Sequence, residues 1–277
     1  MEVFPPKKTD SIETVYKSIY GLRSLTPDFI SVTYGAGGST TQRSKTVEIA
    51  SLIKREYGIE SVSHLTCIGA TKEEIRKRLD DLKANNITNV LALRGDKEPE
   101  GACGKDFKHA SDLVAFVHEE EPDFHIIGAC YPEKHNEADT LEADIRSLRY
   151  KIDAGVSHLI TQLFFDNEKF YDFMDKAESA GVNVPVEAGI MPLTRKNQIE
   201  KMVTLCGATI PAKLQKLVDR FGESDKAMEQ AGIEYAISQI DDLLANNVRG
   251  IHLYSMNNVE ISKKIAEAIK PLLDYIS

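Results

Sequence analysis

The feature that most limits what this chain can fold into is a rhythm. Short runs of apolar and β-branched residues alternate with longer amphipathic stretches from one end to the other. The strand-like runs are Glu2–Phe4, Phe29–Thr33, Ser61–Thr66, Val90–Leu93, His125–Cys130, His158–Gln162, Pro185–Ile190 and Gly250–Tyr254. Between them lie helical patterns. Ile12–Leu25 sets Ile12, Val15, Ile19 and Leu22 on one face, and Thr46–Tyr57 does the same with Val47, Ala50 and Ile53. Ser111 reads as the N-cap of Asp112–Glu120, and Leu141–Ala154 and Phe170–Ala180 are stopped by Gly155 and Gly181. Gln198–Leu205, Ala212–Phe221, Lys226–Asn246 and Val259–Leu273 complete the set. No element is read between Thr66 and Val90.

Eight strands alternating with helices predict a parallel sheet. The first seven strand starts fall roughly 27 to 36 residues apart, as βαβ units require. An even count of eight favours closure, so the expected fold is α/β, a (β/α)8 TIM barrel, with residues 1–277 as a single domain. An open doubly wound sheet is the alternative. Its dinucleotide fingerprint is missing: Gly35-Ala36-Gly37-Gly38-Ser39-Thr40 puts Thr40 where G-x-G-x-x-G wants glycine, and no GK[ST] follows.

A chain of 277 residues buries enough surface to need no disulfide or metal staple. The net charge of −9 argues against a nucleic-acid partner. Cys67, Cys103, Cys130 and Cys206 form no CxxC pair and read as reduced, separate thiols. Nothing resembles a signal peptide and no apolar run is long enough for a membrane span, so a cytoplasmic protein without a membrane partner is expected.

A barrel places its chemistry where strands end and βα loops begin. Glu2 is either a solvated terminal carboxylate or a general acid that would have to stay protonated in its site. Thr33 and Tyr34 end the second strand, and the glycines after them would let backbone approach a flat ligand. In Ser63-His64-Leu65-Thr66-Cys67, residues three apart face opposite ways, so His64 and Cys67 do not share a metal and His64 reads as a core or hydrogen-bonding histidine. Arg94-Gly95-Asp96 is a structural ion pair or an anion-binding arginine beside an aspartate that tunes a cofactor. The loop Lys97–Lys108 is long and rich in glycine and charge. Tyr131-Pro132-Glu133-Lys134-His135 is a solvated turn or a set that stacks on a heteroaromatic ring. Asp144, Arg149 and Lys151 form a solvated helix face unless Lys151 meets a phosphate. Gln162 suits recognition of an amide-like ring, and Tyr254 reads as a core or rim tyrosine. Neither G-x-S-x-G nor HExxH occurs. From residues alone this is a barrel enzyme whose mouth suits an aromatic, anionic ligand. A flavin-free aldolase or decarboxylase, and an idle barrel serving as a partner's subunit, stay open.

Nine motifs in order narrow this. Glu2-Val3-Phe4-Pro5-Pro6, Ser31-Val32-Thr33-Tyr34-Gly35, His64-Leu65-Thr66-Cys67, Leu93-Arg94-Gly95-Asp96, Ala110-Ser111-Asp112-Leu113, Tyr131-Pro132-Glu133, Asp153-Ala154-Gly155, Thr161-Gln162 and Gly189-Ile190-Met191-Pro192 together closely resemble the methylenetetrahydrofolate reductases. The resemblance implies a barrel that holds FAD, takes a hydride from NADH or NADPH, and passes it by ping-pong exchange to a folate, making 5-methyltetrahydrofolate. It implies no metal. By matching motif, Glu2 would be the general acid that opens the folate's five-membered ring to a 5-iminium cation. Asp96 would favour that cation and disfavour an anionic reduced flavin. Thr33, His64, Arg94, Gly95, Asp96, Ala129, Tyr131, His135, Asp144 and Lys151 would contact FAD. Glu2, Gln162, Gln198, Met202 and Tyr254 would contact the folate and nicotinamide. Family members are usually homo-oligomers, and an electron-transfer partner subunit is compatible with the resemblance. The chain departs from the pattern in its short first strand, at Tyr150, where a basic residue is common, and at Asn258, where an Arg is common.

Overall fold

The computed structural model describes residues 1–6, 11–34, 40–95 and 106–276, apart from the side chains of 40–44 and 200. Among them are eight strands: β1 (Glu2–Val3), β2 (Phe29–Val32), β3 (Glu60–Thr66), β4 (Asn89–Leu93), β5 (His125–Cys130), β6 (His158–Thr161), β7 (Val186–Ile190) and β8 (Ile251–Leu253). Their order in the sheet is their order in the chain. Every described pairing is parallel. A doubly wound sheet reverses its strand order at a switch point, whereas a (β/α)8 barrel does not, so this order carries the expected fold class. The helices between are α1 (Ile12–Leu22), α2 (Thr40–Tyr57), α3 (Lys72–Ala84), α4 (Ala110–Glu120), α5 (Leu141–Asp153), α6 (Asn167–Ser179), α7 (Lys196–Cys206), α8 (Ala212–Phe221), α9 (Asp225–Ala245) and α10 (Val259–Ile276). No helix among the described residues is long and apolar enough to cross a membrane.

The chain forms two compact units, Met1–Ala129 with Tyr150–Leu159, and Cys130–Arg149 with Ile160–Ser277. In the first, β3 buries five consecutive residues, Ser61 to Leu65, as a parallel strand covered on both faces must. The helices bury apolar stripes of their own: Val15, Ile19 and Leu22 on α1, Ile75, Leu79 and Leu82 on α3, Leu113, Val114 and Val117 on α4. α3 occupies the stretch left unread in the sequence. Thr71 caps it, accepting from Glu74 N–H, while the Glu74 carboxylate accepts from Thr71 N–H at 2.8 Å. α4 starts one residue before Ser111, because Asp112 in its first turn accepts from the N–H groups of Lys108 and His109.

In the second unit α9 is the longest helix, and it buries Met228, Ile233, Ala236, Ile240 and Leu243. It also satisfies two carbonyls beyond β6. Tyr235 Oη donates to Phe165 O at 2.5 Å and Gln239 Nε2 donates to Phe164 O at 3.0 Å. Such bonds matter because a buried carbonyl without a donor is costly. Gly232 lets this helix touch the chain after β7: a Cβ there would lie 1.7 Å from Leu193 O. Asn258, one of the departures noted above, accepts from Ile261 N–H at 3.1 Å and so starts α10.

Candidate active site

In the first unit the strand register assembles the site. Glu2 pairs with Ser31, and Ser31 pairs with Val62. Paired residues share a face, and so do residues two apart along a strand. Glu2, Ser31, Thr33, Val62 and His64 therefore share one face. Glu2 is 6% exposed and His64 7%. Their side chains meet, with His64 Nε2 3.3 Å from Glu2 Oε2, at angles short of a hydrogen bond. Thr33 is buried beside them in the register, and its Oγ1 has no hydrogen-bond partner among the described residues. Its main chain is held, since Thr33 N–H donates to Val3 O and Thr33 O accepts from Thr46 Oγ1. The first strand is short, yet Met1 O, Val3 O and the Met1 ammonium all bond to β2 or its flanks.

Two cations stand at the same strand ends. Arg94 Nε donates to Gly95 O at 3.3 Å, and Gly95 has a φ of 91°, with the Ile68 side chain 2.9 Å from where a Cβ would be. That conformation and that contact both call for glycine. Arg78, carried by α3 and so missed in the sequence reading, donates to Thr66 O at 2.8 Å. Cys67 is buried, and desolvation, followed by the charge of Asp112, pushes its thiol up to about 11. Lys151 Nζ donates to Ala129 O at 2.8 Å, which joins two of the expected cofactor contacts to each other. Asp96, the Gly35–Ser39 loop and residues 97–105 lie outside the described residues.

The second unit holds the other candidates. Tyr131 and His135 meet edge to face with ring centroids 4.8 Å apart. His135 N–H donates to Asp144 Oδ2 at 2.7 Å, and His135 Nδ1 accepts from Glu137 N–H. The loop after β5 thus folds back on the first turn of α5. Gln162 N–H donates to Cys130 O, and its Oε1 accepts from Leu163 N–H at 2.9 Å. Gln198 Oε1 accepts from the N–H groups of Thr194 and Arg195, both at 2.9 Å, so this side chain caps its own helix. Met202 and Tyr254 pack on a cluster formed by Leu163, Phe165, Met191, Leu193, Ala208 and Leu214. Tyr254 Oη donates to Thr161 O at 2.6 Å. Tyr150 is 69% exposed.

The geometry brings together Glu2 with His64, Lys151 with Ala129, and Tyr131 with His135 and Asp144. Comparison with known proteins gives this arrangement a context. The family model described as methylenetetrahydrofolate reductase matches residues 1–270. The 5,10-methylenetetrahydrofolate reductase of Pectobacterium carotovorum subsp. carotovorum is 37% identical over 268 residues, 97% of this chain and 88% of that protein. That of Escherichia coli (strain K12) is also 37% identical, over 97% and 89%. Methylenetetrahydrofolate reductase (NADH) 1 of Arabidopsis thaliana is 36% identical over 92% of this chain and 45% of that protein. Among solved structures, a Clostridium thermocellum protein described as binding two copies of 5-methyl-5,6,7,8-tetrahydrofolic acid has a TM-score of 0.66, covering 100% of this chain and 94% of that one. At 18% identity this last likeness concerns the fold alone. A match along nearly the whole chain, with two bacterial relatives above a third identical, makes the chain a member of the methylenetetrahydrofolate reductase family.

Proposed function

We propose that the protein reduces 5,10-methylenetetrahydrofolate to 5-methyltetrahydrofolate with NADH or NADPH as donor, through FAD and by ping-pong exchange. The observation that carries the reading is the buried Glu2 carboxyl, on one face with His64 and Thr33. A carboxyl inside a family-wide reductase match is suited to move a proton, since burial and a nearby imidazole keep water away from it.

The residues present fit FAD. Thr33 Oγ1 and His64 Nε2 are buried polar atoms without hydrogen-bond partners among the described residues, and such atoms call for a ligand. Arg94 and Lys151 supply positive charge for an anionic tail. In the second unit Tyr131, His135 and Asp144 supply an aromatic face and a carboxylate for a hydroxyl. FAD, when bound, supplies a two-electron carrier between the nicotinamide and the folate. Asp96 keeps the role implied by its motif.

Glu2 gives its proton to the departing nitrogen of the folate's five-membered ring. The ring opens to the iminium that accepts hydride, and the carboxylate left behind stays beside His64. Gln162 holds the pterin, with Gln198 and Met202 lining the substrate side.

Glu2→Gln tests this with the two half-reactions measured apart. Loss of a positioned acid lowers folate reduction by about 10²–10⁴-fold. Nicotinamide oxidation survives, because it needs no ring opening. Full folate reduction in the variant would remove Glu2 from the chemistry. A purified protein that shows no flavin absorption and takes up no added FAD would refute the flavin assignment.

A further inference from the structure

The ends of β6, β7 and β8 interlock around a single threonine through Tyr254, which the resemblance implies as a folate or nicotinamide contact. Tyr254 Oη donates to Thr161 O at 2.6 Å. Gly189 N–H donates to Thr161 Oγ1 at 2.8 Å. The space over Gly189 is filled: a Cβ there would lie 2.4 Å from Thr161 O, 2.7 Å from Tyr254 Cε2 and 2.9 Å from Tyr254 Oη. The tyrosine ring therefore lies across residue 189, and only glycine leaves it that place.

The ring is also held from its own strand. Tyr254 N–H donates to Ile190 O at 2.9 Å. The His252 ring packs against it edge to face at 5.4 Å, and His252 Nδ1 lies 3.5 Å from Glu187 Oε2. His252 pairs in register with Gly189, so glycine, histidine and tyrosine belong to one face.

Thr161 O belongs to the peptide group whose nitrogen is that of Gln162. That nitrogen donates to Cys130 O at 2.7 Å. Both polar atoms of the Thr161–Gln162 peptide are thus fixed, one by Tyr254 and one by β5. The Gln162 side chain folds onto its own loop, its Oε1 taken by Leu163 N–H, which leaves the –NH2 as its donor end.

We infer that Tyr254 is a positioning residue: through Thr161 O it sets the peptide plane from which Gln162 reaches the folate, and does not itself touch the substrate. Gly189 makes the arrangement sterically possible. The inference rests on the proposed assignment of Gln162 to the folate.

A double-mutant cycle on the full enzyme tests it, with KM and kcat measured for folate and nicotinamide separately. Tyr254→Phe removes one buried donor and keeps the ring. It is expected to raise the folate KM about tenfold, with kcat and the nicotinamide KM nearly unchanged. Gln162→Ala is expected to raise the folate KM as well. In that background, adding Tyr254→Phe should change the folate KM by less than about twofold, because residues acting as one unit are not additive. An equal factor with and without Gln162 would mean direct contact between Tyr254 and folate, and would overturn the inference. So would an unchanged folate KM in Tyr254→Phe. If Gln162→Ala alone leaves the folate KM unchanged, the assignment of Gln162 fails and the inference falls with it. Thermal midpoints of all variants report folding. Should Tyr254→Phe not fold, Tyr254→His, whose shorter ring cannot reach Thr161 O, takes its place in the cycle.

Discussion

Gly232→Ala should destabilise the protein although helix propensity argues for the opposite. In the interior of a long helix, alanine is better than glycine by about 0.5–1 kcal/mol. Here, however, the new methyl would meet backbone: Leu193 O at 1.7 Å and Leu193 C at 2.6 Å. Relieving the contact requires α9 and the segment after β7 to part by roughly 1.3 Å, and overpacking of this kind costs about 1–3 kcal/mol. The same shift stretches the bonds from Tyr235 Oη and Gln239 Nε2 to Phe165 O and Phe164 O. Each is worth about 1 kcal/mol. The net loss is about 2–4 kcal/mol once the propensity gain is subtracted. For a chain of this length that corresponds to a fall of about 5–15 °C in the thermal midpoint. Far-UV circular dichroism at a fixed heating rate measures it. A variant with an equal or higher midpoint would show that the helix–backbone contact carries no weight.

Other expectations follow from individual groups. Burial, followed by a bond to Glu48, pushes the Tyr16 hydroxyl up to about 12; burial and Asp242 do the same for Tyr171, and burial and the charge of Asp166 for Tyr235. The unfolded chain ionises these groups near pH 10, so their stability contribution is complete below pH 10 and lost as pH rises toward 12. Urea midpoints at a series of alkaline pH values should fall through that window, and a flat series would contradict it. With its thiol pushed up to about 11, Cys67 should resist iodoacetamide at pH 8 in the native protein and react once unfolded, as read by mass spectrometry. Thr71→Ala removes the cap of α3 and should cost about 1 kcal/mol in denaturant titration.

The strands were legible because parallel β-strands write themselves as apolar runs; all eight begin within one residue of the expected start, and β1, β2, β5 and β6 begin on it. α3 was harder to see. Its sequence, Lys72–Ala84, is mostly charged and buries only Ile75, Leu79 and Leu82, so the apolar stripe is narrow. Its signal was the Thr71-x-x-Glu74 capping pair. The missed helix also concealed Arg78. At the site, residue types and order were readable, but which groups meet was not. The Glu2–His64 approach depends on a register through β1, β2 and β3 that no local pattern encodes. Gln198 showed a different gap: the expected helix began at Gln198, but α7 starts at Lys196, which makes Gln198 the third residue, where its Oε1 caps the helix.

α7 has no buried residue among those described, although it carries Gln198 and Met202. Gln198 caps its start, Asn136 donates to Leu205 O in its last turn and Glu133 accepts from Thr209 N–H past its end, while Ile199, Met202 and Cys206 pack, partly buried, on the core cluster. With partly buried side chains only, its amides should exchange with solvent before those of α9, which buries a full stripe. Changes at its exposed positions, Asn197, Lys201, Val203 and Thr204, disturb little of the packed interior. On the proposed assignment of Gln198 and Met202 to the substrate side, preference for one folate over another can drift by mutation at those exposed positions while the rest of the unit keeps its stability.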